Sequence, residues 1–167
     1  MKIYIIGIGL IGGSFAMEMR KLFPKSTIIG IDKSENNLNK AHELSIIDKK
    51  SCLSEIFDAD IILVSVPVKS IINLLPNILD KVNKNTLVID FGSTKNSICN
   101  VIKDHPNREN FLATHPIAGT EFSGPTAAHK GLFVNKNIII CDKHRTNQSR
   151  LKIALKIFKS MKMKISY

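Results

Sequence analysis

A glycine-rich segment close to the amino terminus has the spacing of a dinucleotide-binding turn. The residues Gly7-Ile8-Gly9-Leu10-Ile11-Gly12 follow a short apolar run and open a helical pattern. In such a turn the first glycine permits a tight bend, the second lets a pyrophosphate approach the backbone, and the third lets helix and strand pack closely. Free N–H groups near Leu10 and Ile11, at the positive end of the helix dipole, would hold the phosphates. The alternative is a glycine-rich turn without a ligand.

An aspartate lies about 20 residues beyond that turn, where the ribose-binding carboxylate of a dinucleotide site is expected. Asp32 ends the second apolar run of the chain. A carboxylate at this point accepts hydrogen bonds from the adenine ribose and repels a 2′-phosphate, which predicts NAD rather than NADP as the cofactor. Lys33 beside it could tolerate a phosphate, and a turn or cap role for Asp32 is the structural alternative.

The segment Ser65-Val66-Pro67 ends a third apolar run. Open α/β sheets bind ligands at the carboxyl edge of their strands, so these residues are predicted to line the cofactor cleft. The alternative is that they only terminate the strand.

Two further strand ends carry side chains that could take part in proton transfer. Ser93 lies in Asp90-Phe91-Gly92-Ser93-Thr94-Lys95, and His115 opens His115-Pro116-Ile117-Ala118-Gly119-Thr120-Glu121. A histidine at the carboxyl edge can accept the proton of a substrate hydroxyl while hydride leaves the adjacent carbon. The serine hydroxyl could orient the imidazole or touch the same substrate group. Lys95 could attract an anionic substrate, or it could be a solvated lysine.

Alternating apolar runs and helical patterns predict the elements that position these side chains. Strands are predicted at Lys2–Ile6, Thr27–Ile31, Asp60–Val66, Thr86–Phe91, Asn110–Thr114, Asn137–Cys141 and Met163–Tyr167. Helices are predicted at Leu10–Leu22, from the cap Ser34 to Glu43, at Val68–Lys81, at Thr94–Lys103, and around Leu151, Leu155 and Phe158. Pro76 should kink or split its helix, and residues His115–Gly131 are predicted to be a loop.

This alternation predicts an α/β fold with a doubly wound, mostly parallel sheet of the Rossmann type, forming a single domain over residues 1–167. A continuous run of apolar residues in most strands is typical of a parallel sheet that is covered on both faces.

Composition limits the other function classes. The net charge is +10, but the lysines are scattered and tryptophan is absent, so we predict no nucleic-acid partner. Three separated cysteines and no paired histidine spacing predict no metal and no disulfide framework. The glycine-broken amino-terminal stretch is too short to span a bilayer, so we expect a cytoplasmic protein without membrane association.

The order GIGLIGGS, Asp32, SVPV, DFGSTK and HPIAGTEFSGP resembles the prephenate dehydrogenase family, including its arogenate-using relatives, over essentially the whole chain. The resemblance implies NAD-dependent oxidative decarboxylation of prephenate to 4-hydroxyphenylpyruvate. It implies that His115 accepts a hydrogen bond from the substrate's ring hydroxyl, and that Ser93 holds both the histidine and that hydroxyl. It also implies that Thr120 and Glu121 lie at the substrate pocket.

Members of that family continue into a helical domain that supplies dimer contacts and substrate-binding residues, and none of it follows Tyr167. We therefore expect the cofactor domain of a parent that is a homodimer, with little turnover by itself. Three alternatives stay open: an arogenate dehydrogenase, another hydroxyacid or imine-reducing dinucleotide enzyme, and an NAD-binding redox-sensing module without catalysis.

Overall fold

Eight strands form one sheet, in a computed structural model that describes residues 1–167. The strands are β1 (Lys2–Ile6), β2 (Thr27–Ile31), β3 (Lys49–Lys50), β4 (Ile61–Val64), β5 (Leu87–Asp90), β6 (Phe111–Pro116), β7 (Asn137–Cys141) and β8 (Lys164–Ser166). Their order is β3-β2-β1-β4-β5-β6-β7-β8. All neighbours pair in parallel except β6 and β7, which are antiparallel.

Helices cover both faces of the sheet because successive strand residues point to opposite sides. The helices are α1 (Leu10–Leu22), α2 (Glu35–Glu43), α3 (Val68–Lys81), α4 (Lys95–Val101) and α5 (Gln148–Ser160). In β1, Ile3 and Ile5 belong to the core cluster that contains α1, α2 and α5, whereas Tyr4 and Ile6 belong to the cluster that contains α3 and α4. The prediction of a doubly wound, mostly parallel α/β sheet is confirmed.

Most element bounds agree with the predictions to within two or three residues, and three differences stand out. The two-residue strand β3 was not predicted, because it is a pair of exposed lysines without an apolar pattern. Helix α3 remains a single helix through Pro76, so the expected split does not occur. Strand β6 continues through His115 and Pro116, which the sequence assigned to a loop.

The extension of β6 has a tertiary cause. His115 and Pro116 pair with Ile139 and Ile138 of the antiparallel neighbour β7. No local pattern at His115 reveals this partner, since it lies more than 20 residues further along the chain. The histidine is therefore held in a strand rather than at the start of a free loop.

The segment after β6 returns across helix α1 and is fastened to it. Its 3₁₀ turn, Pro125–Ala127, packs on α1 and α2. The Ser14 hydroxyl accepts a hydrogen bond from the His129 N–H at 3.0 Å, and the Glu18 carboxylate accepts one from the Gly131 N–H at 2.7 Å. Both α1 side chains are buried. This loop is consequently anchored at both ends, in β6 and on α1.

Candidate active site

The predicted site residues lie along one edge of the sheet. Strands β1, β2, β4, β5 and β6 are mutually parallel, so their carboxyl ends share that edge. The chain runs from β1 to β2 on one side and places β4 on the other, which makes the β1–β4 boundary the point where the strand order reverses. Ligands of doubly wound sheets bind at such a boundary.

The three glycines of the first turn have three different surroundings. Gly7 has a φ of +92°, and a Cβ there would lie 2.7 Å from the Ser65 carbonyl oxygen. A Cβ on Gly12 would lie 2.0 Å from the Gly7 carbonyl oxygen, so helix α1 can approach β1 only without a side chain. A Cβ on Gly9 would meet nothing within 4 Å. The first and third glycines therefore serve the fold, whereas the second borders open space.

The start of α1 offers backbone donors to that space. The N–H groups of Leu10 and Ile11 have no acceptor in the structure. Gly9, the N-cap, lacks a side chain, and the first turn of α1 contains no acidic residue. A helix start that lacks its own acceptor is a ready anion site, since the helix dipole adds partial positive charge there. These residues fit a diphosphate.

Asp32 follows β2 and bridges two backbone segments. Its Oδ2 accepts the Ile8 N–H at 2.8 Å, and its Oδ1 accepts the Ser34 N–H at 2.9 Å. The carboxylate is half-buried, and each oxygen keeps lone-pair capacity for a further donor. Asp32 thus has the turn role considered as the structural alternative, and it also lies beside the glycine turn where a ribose would be bound.

Ser65 holds the backbone of the glycine turn through its hydroxyl group. Its hydroxyl donates to the Gly7 carbonyl oxygen at 2.8 Å and lies 3.2 Å from the Ile6 carbonyl oxygen. Val66 approaches the same glycine, and Pro67 forms the N-cap position of α3. The segment does more than terminate β4, because its contacts fix the conformation of the turn.

His115 is half-buried near the end of β6. Its Nδ1 lies 3.4 Å from the Phe91 carbonyl oxygen, a long hydrogen bond of the kind seen before a substrate is bound. A proton on Nδ1 leaves the lone pair of Nε2 free to accept a proton. The carbonyl at the end of β5 therefore favours the tautomer that a general base requires.

The orienting role that the resemblance implies for Ser93 stays a prediction, since no contact in the structure joins Ser93 to the imidazole. The residue is exposed and its hydroxyl makes no hydrogen bond to His115, whose ring contacts the Phe91 carbonyl instead. The two residues share the carboxyl edge because β5 and β6 are adjacent.

A shallow cleft opens beside the imidazole. It is lined by His115, Pro116, Ile117, Ala118, Gly119 and Lys136. Lys136 was not singled out in the sequence, because it reaches the cleft only through the antiparallel pairing of β7 with β6. The Thr120 hydroxyl accepts the Phe122 N–H at 3.2 Å, Glu121 is exposed, and neither residue lines the cleft.

A buried ion pair lies beneath Ser93 and His115. Asp90 is fully buried and pairs with the Lys95 ammonium, whose side chain is only 11% exposed. Burial raises the pKa of the Asp90 carboxyl, and the neighbouring Lys95 charge opposes that rise. The interpretation of Lys95 as a solvated lysine is wrong, and Asp90 was missed as a partner. An aspartate closing an otherwise apolar strand was the available signal.

No group of three or more histidine, cysteine, aspartate or glutamate side chains is arranged to hold a metal ion. None of the helices combines the length and the apolar character needed to cross a bilayer.

Residues 15–167 match the family described as the prephenate dehydrogenase nucleotide-binding domain. The chain is 33% identical over 150 residues to prephenate dehydrogenase of Bacillus subtilis, covering 87% of the chain and 40% of that protein. It is 36% identical over 155 residues to prephenate dehydrogenase of Lactococcus lactis, covering 90% and 44%. The chain thus spans less than half the length of these relatives.

Solved structures of similar sequence have the same architecture. Prephenate dehydrogenase of Aquifex aeolicus superposes with a TM-score of 0.90 at 28% identity, covering 99% of this chain and 60% of that one. The Aquifex enzyme in complex with hydroxyphenyl propionate and NAD⁺ gives a TM-score of 0.88 at 27% identity, covering 99% and 59%. Synechocystis arogenate dehydrogenase gives 0.85 at 28% identity, covering 99% and 58%.

Proposed function

The chain belongs to the prephenate dehydrogenase family, whose nucleotide-binding domain it matches, and we propose from that premise that it is the NAD-binding part of an enzyme of tyrosine biosynthesis. The proposed reaction is the oxidative decarboxylation of prephenate to 4-hydroxyphenylpyruvate. Dehydrogenases of this family are oxidoreductases, and the chain contains the part that holds their nucleotide.

One observation carries the proposal. The glycine turn after β1 and His115 at the end of β6 lie on the same edge of the sheet, with only the ends of β4 and β5 between them. A dinucleotide whose diphosphate rests on α1 can extend along that edge toward the imidazole. Neither feature alone distinguishes an enzyme from a binding module, but their common edge gives a proton acceptor to a hydride-transfer site.

NAD is the cofactor that fits these residues. Leu10 and Ile11 would donate to its diphosphate, and Asp32 would accept hydrogen bonds from the adenine ribose hydroxyls. The carboxylate charge of Asp32 would repel a 2′-phosphate. The similar Aquifex enzyme was crystallised with NAD⁺. When bound, the nicotinamide ring supplies the hydride acceptor.

The chain's own contribution to the chemistry is proton transfer at His115. Nε2 accepts the proton of the substrate's ring hydroxyl as hydride leaves the carbinol carbon, and carbon dioxide is then lost from that ring. Nδ1 keeps its bond to the Phe91 carbonyl oxygen, which stabilises the imidazolium that forms. Since aromatisation supplies much of the driving force, positioning is the main requirement of the site.

Arogenate is the second candidate substrate. The arogenate dehydrogenase of Synechocystis is as similar to this chain, at 28% identity, as the Aquifex prephenate dehydrogenase. Prephenate and arogenate differ only in their side chains, so the ring chemistry at His115 is the same for both.

The test measures NADH formation with prephenate and with arogenate, using the longest natural form of the protein that contains this chain. We expect turnover with prephenate and a higher kcat/KM for it than for arogenate. The isolated chain should bind NAD by calorimetry and give little turnover. A protein that binds NAD but oxidises neither substrate would refute the proposed reaction, and robust turnover by the isolated chain would refute the need for a further domain.

A further inference from the structure

We propose that Asp90 and Lys95 act as a positioning pair that sets the orientation of the His115 imidazole. The inference rests on the proposed role of His115 as the proton acceptor. Neither residue reaches the cleft beside the imidazole, so neither is a catalytic residue. Their effect is transmitted through Thr114 and Phe91, the backbone neighbours that hold the ring.

Asp90 joins the ends of two adjacent strands. Its Oδ2 accepts the Gly92 N–H at 2.9 Å, which shapes the turn that carries Ser93. Its Oδ1 accepts the Thr114 N–H at 3.3 Å, and its backbone carbonyl accepts the Thr114 hydroxyl at 2.7 Å. One fully buried carboxylate therefore fixes the β5 turn and the residue that precedes His115.

Lys95, in the first turn of helix α4, contacts the same two strand ends. Its ammonium pairs with Asp90 Oδ2 and donates to the Thr114 carbonyl oxygen at 2.6 Å. The helix itself gives no reason for a lysine here, because a cation in the first turn faces the positive end of the dipole. The position of Lys95 is thus explained by its partners in β5 and β6.

The connection to the imidazole is short on both strands. Thr114 immediately precedes His115, and Phe91, whose carbonyl oxygen lies 3.4 Å from His115 Nδ1, immediately follows Asp90. A change in the separation of Asp90 and Thr114 would therefore change the length of the hydrogen bond between His115 Nδ1 and the Phe91 carbonyl oxygen. The pair therefore controls which way the ring faces and which nitrogen carries the proton.

A buried ion pair is a poor means of adding stability, because desolvation of both charges opposes their attraction. Its directional donors and acceptors are instead suited to fixing one geometry. Small displacements of a reacting group cost rate steeply, so a rigid joint beneath a proton acceptor has a functional use.

The test compares Lys95→Arg, Lys95→Met and the double variant Asp90→Asn with Lys95→Met. The double variant leaves no unpaired charge in the core, so it should fold even if Lys95→Met alone does not. Lys84→Met, which removes a charge from an exposed loop residue, is the control. The readouts are the ¹⁵N chemical shifts of the His115 ring, assigned by their loss in His115→Asn, and NAD affinity.

We expect Lys95→Met and the double variant to move the His115 ring shifts toward a mixture of tautomers. Lys95→Arg, which keeps the charge, should leave the ring shifts close to their wild-type values. NAD affinity should remain unchanged in all three variants. In the longest natural form, kcat should fall about tenfold without a matching rise in the KM for NAD. Ring shifts that stay at wild-type values in the folded double variant would overturn the proposal and leave the pair with a purely structural role.

The ring shifts require no substrate. If the wild-type protein oxidises neither prephenate nor arogenate, the proposed function fails, whereas the positioning proposal is still decided by the His115 spectra.

Discussion

The Ser14 hydroxyl accepts a hydrogen bond from the His129 N–H at 3.0 Å, and this contact joins the helix of the glycine turn to the loop that follows His115. Glu18, one helical turn further along α1, accepts the Gly131 N–H in the same way. Gly13 makes room for the contact, since a Cβ there would lie 2.7 Å from the Ala128 Cβ. Helix α1, which is proposed to bind the diphosphate, and the loop that follows His115 are therefore held together as one rigid unit.

Removal of the Ser14 hydroxyl should loosen this loop. Ser14→Ala leaves the His129 N–H without an acceptor, and we expect a loss of about 1 kcal/mol in the free energy of unfolding. Hydrogen exchange at the His129 and Gly131 amides should accelerate. Ser160→Ala, at an exposed position on α5, is the matched control. Unchanged exchange at both amides would show that the Ser14 hydroxyl does not hold the loop.

Substitution of the glycines should separate folding from nucleotide binding. Gly12→Ala forces a methyl group against the Gly7 carbonyl oxygen, and we expect destabilisation of roughly 1–3 kcal/mol in denaturant unfolding. Gly9→Ala meets no atom within 4 Å and should leave stability nearly unchanged. Its methyl group would instead enter the space proposed for the diphosphate, weakening NAD binding about tenfold, or roughly 1.4 kcal/mol. Wild-type NAD affinity in Gly9→Ala would mean that the diphosphate lies elsewhere.

Asp32 should determine the choice between NAD and NADP. Asp32→Asn removes the charge that repels a 2′-phosphate, so the ratio of the NADP to the NAD dissociation constant should fall, by about tenfold. Glu35→Gln removes the same charge from an exposed residue at the start of α2 and serves as the control. Equal effects of the two substitutions would indicate that the overall electrostatic field of the surface, rather than a specific contact with the ribose, sets the preference. Calorimetric titration with each nucleotide gives the ratio.

His115→Asn should abolish hydride transfer while NAD affinity remains nearly unchanged. Loss of a positioned general base lowers kcat by about 10²–10⁴-fold. His129→Asn, an exposed histidine on the anchored loop, should retain most of the activity. The measurement is steady-state NADH formation in the longest natural form of the protein. If turnover survives in His115→Asn, the assignment of His115 as the proton acceptor is wrong.

The sequence was informative wherever the determinant was local. The glycine spacing predicts a strand–turn–helix unit because the positive φ of Gly7 and the close approach of Gly12 to the Gly7 carbonyl oxygen both belong to the turn itself. Apolar runs at Lys2–Ile6, Thr27–Ile31 and Asn137–Cys141 predict three strands with their observed bounds. Since parallel strands share an edge, their order along the chain was enough to bring the glycine turn, Asp32, Ser65 and His115 to the same side.

Only the tertiary structure decided how those side chains are held. Lys95 could not be distinguished from a solvated lysine, because its burial depends on Asp90 and Thr114 in two strands of the sheet. His115 lies in a strand because the antiparallel partner β7 pairs with it, and Lys136 reaches its cleft by the same route. Local steric rules are encoded residue by residue, whereas the partner of a buried charge or of an edge strand is determined only when distant segments pack together.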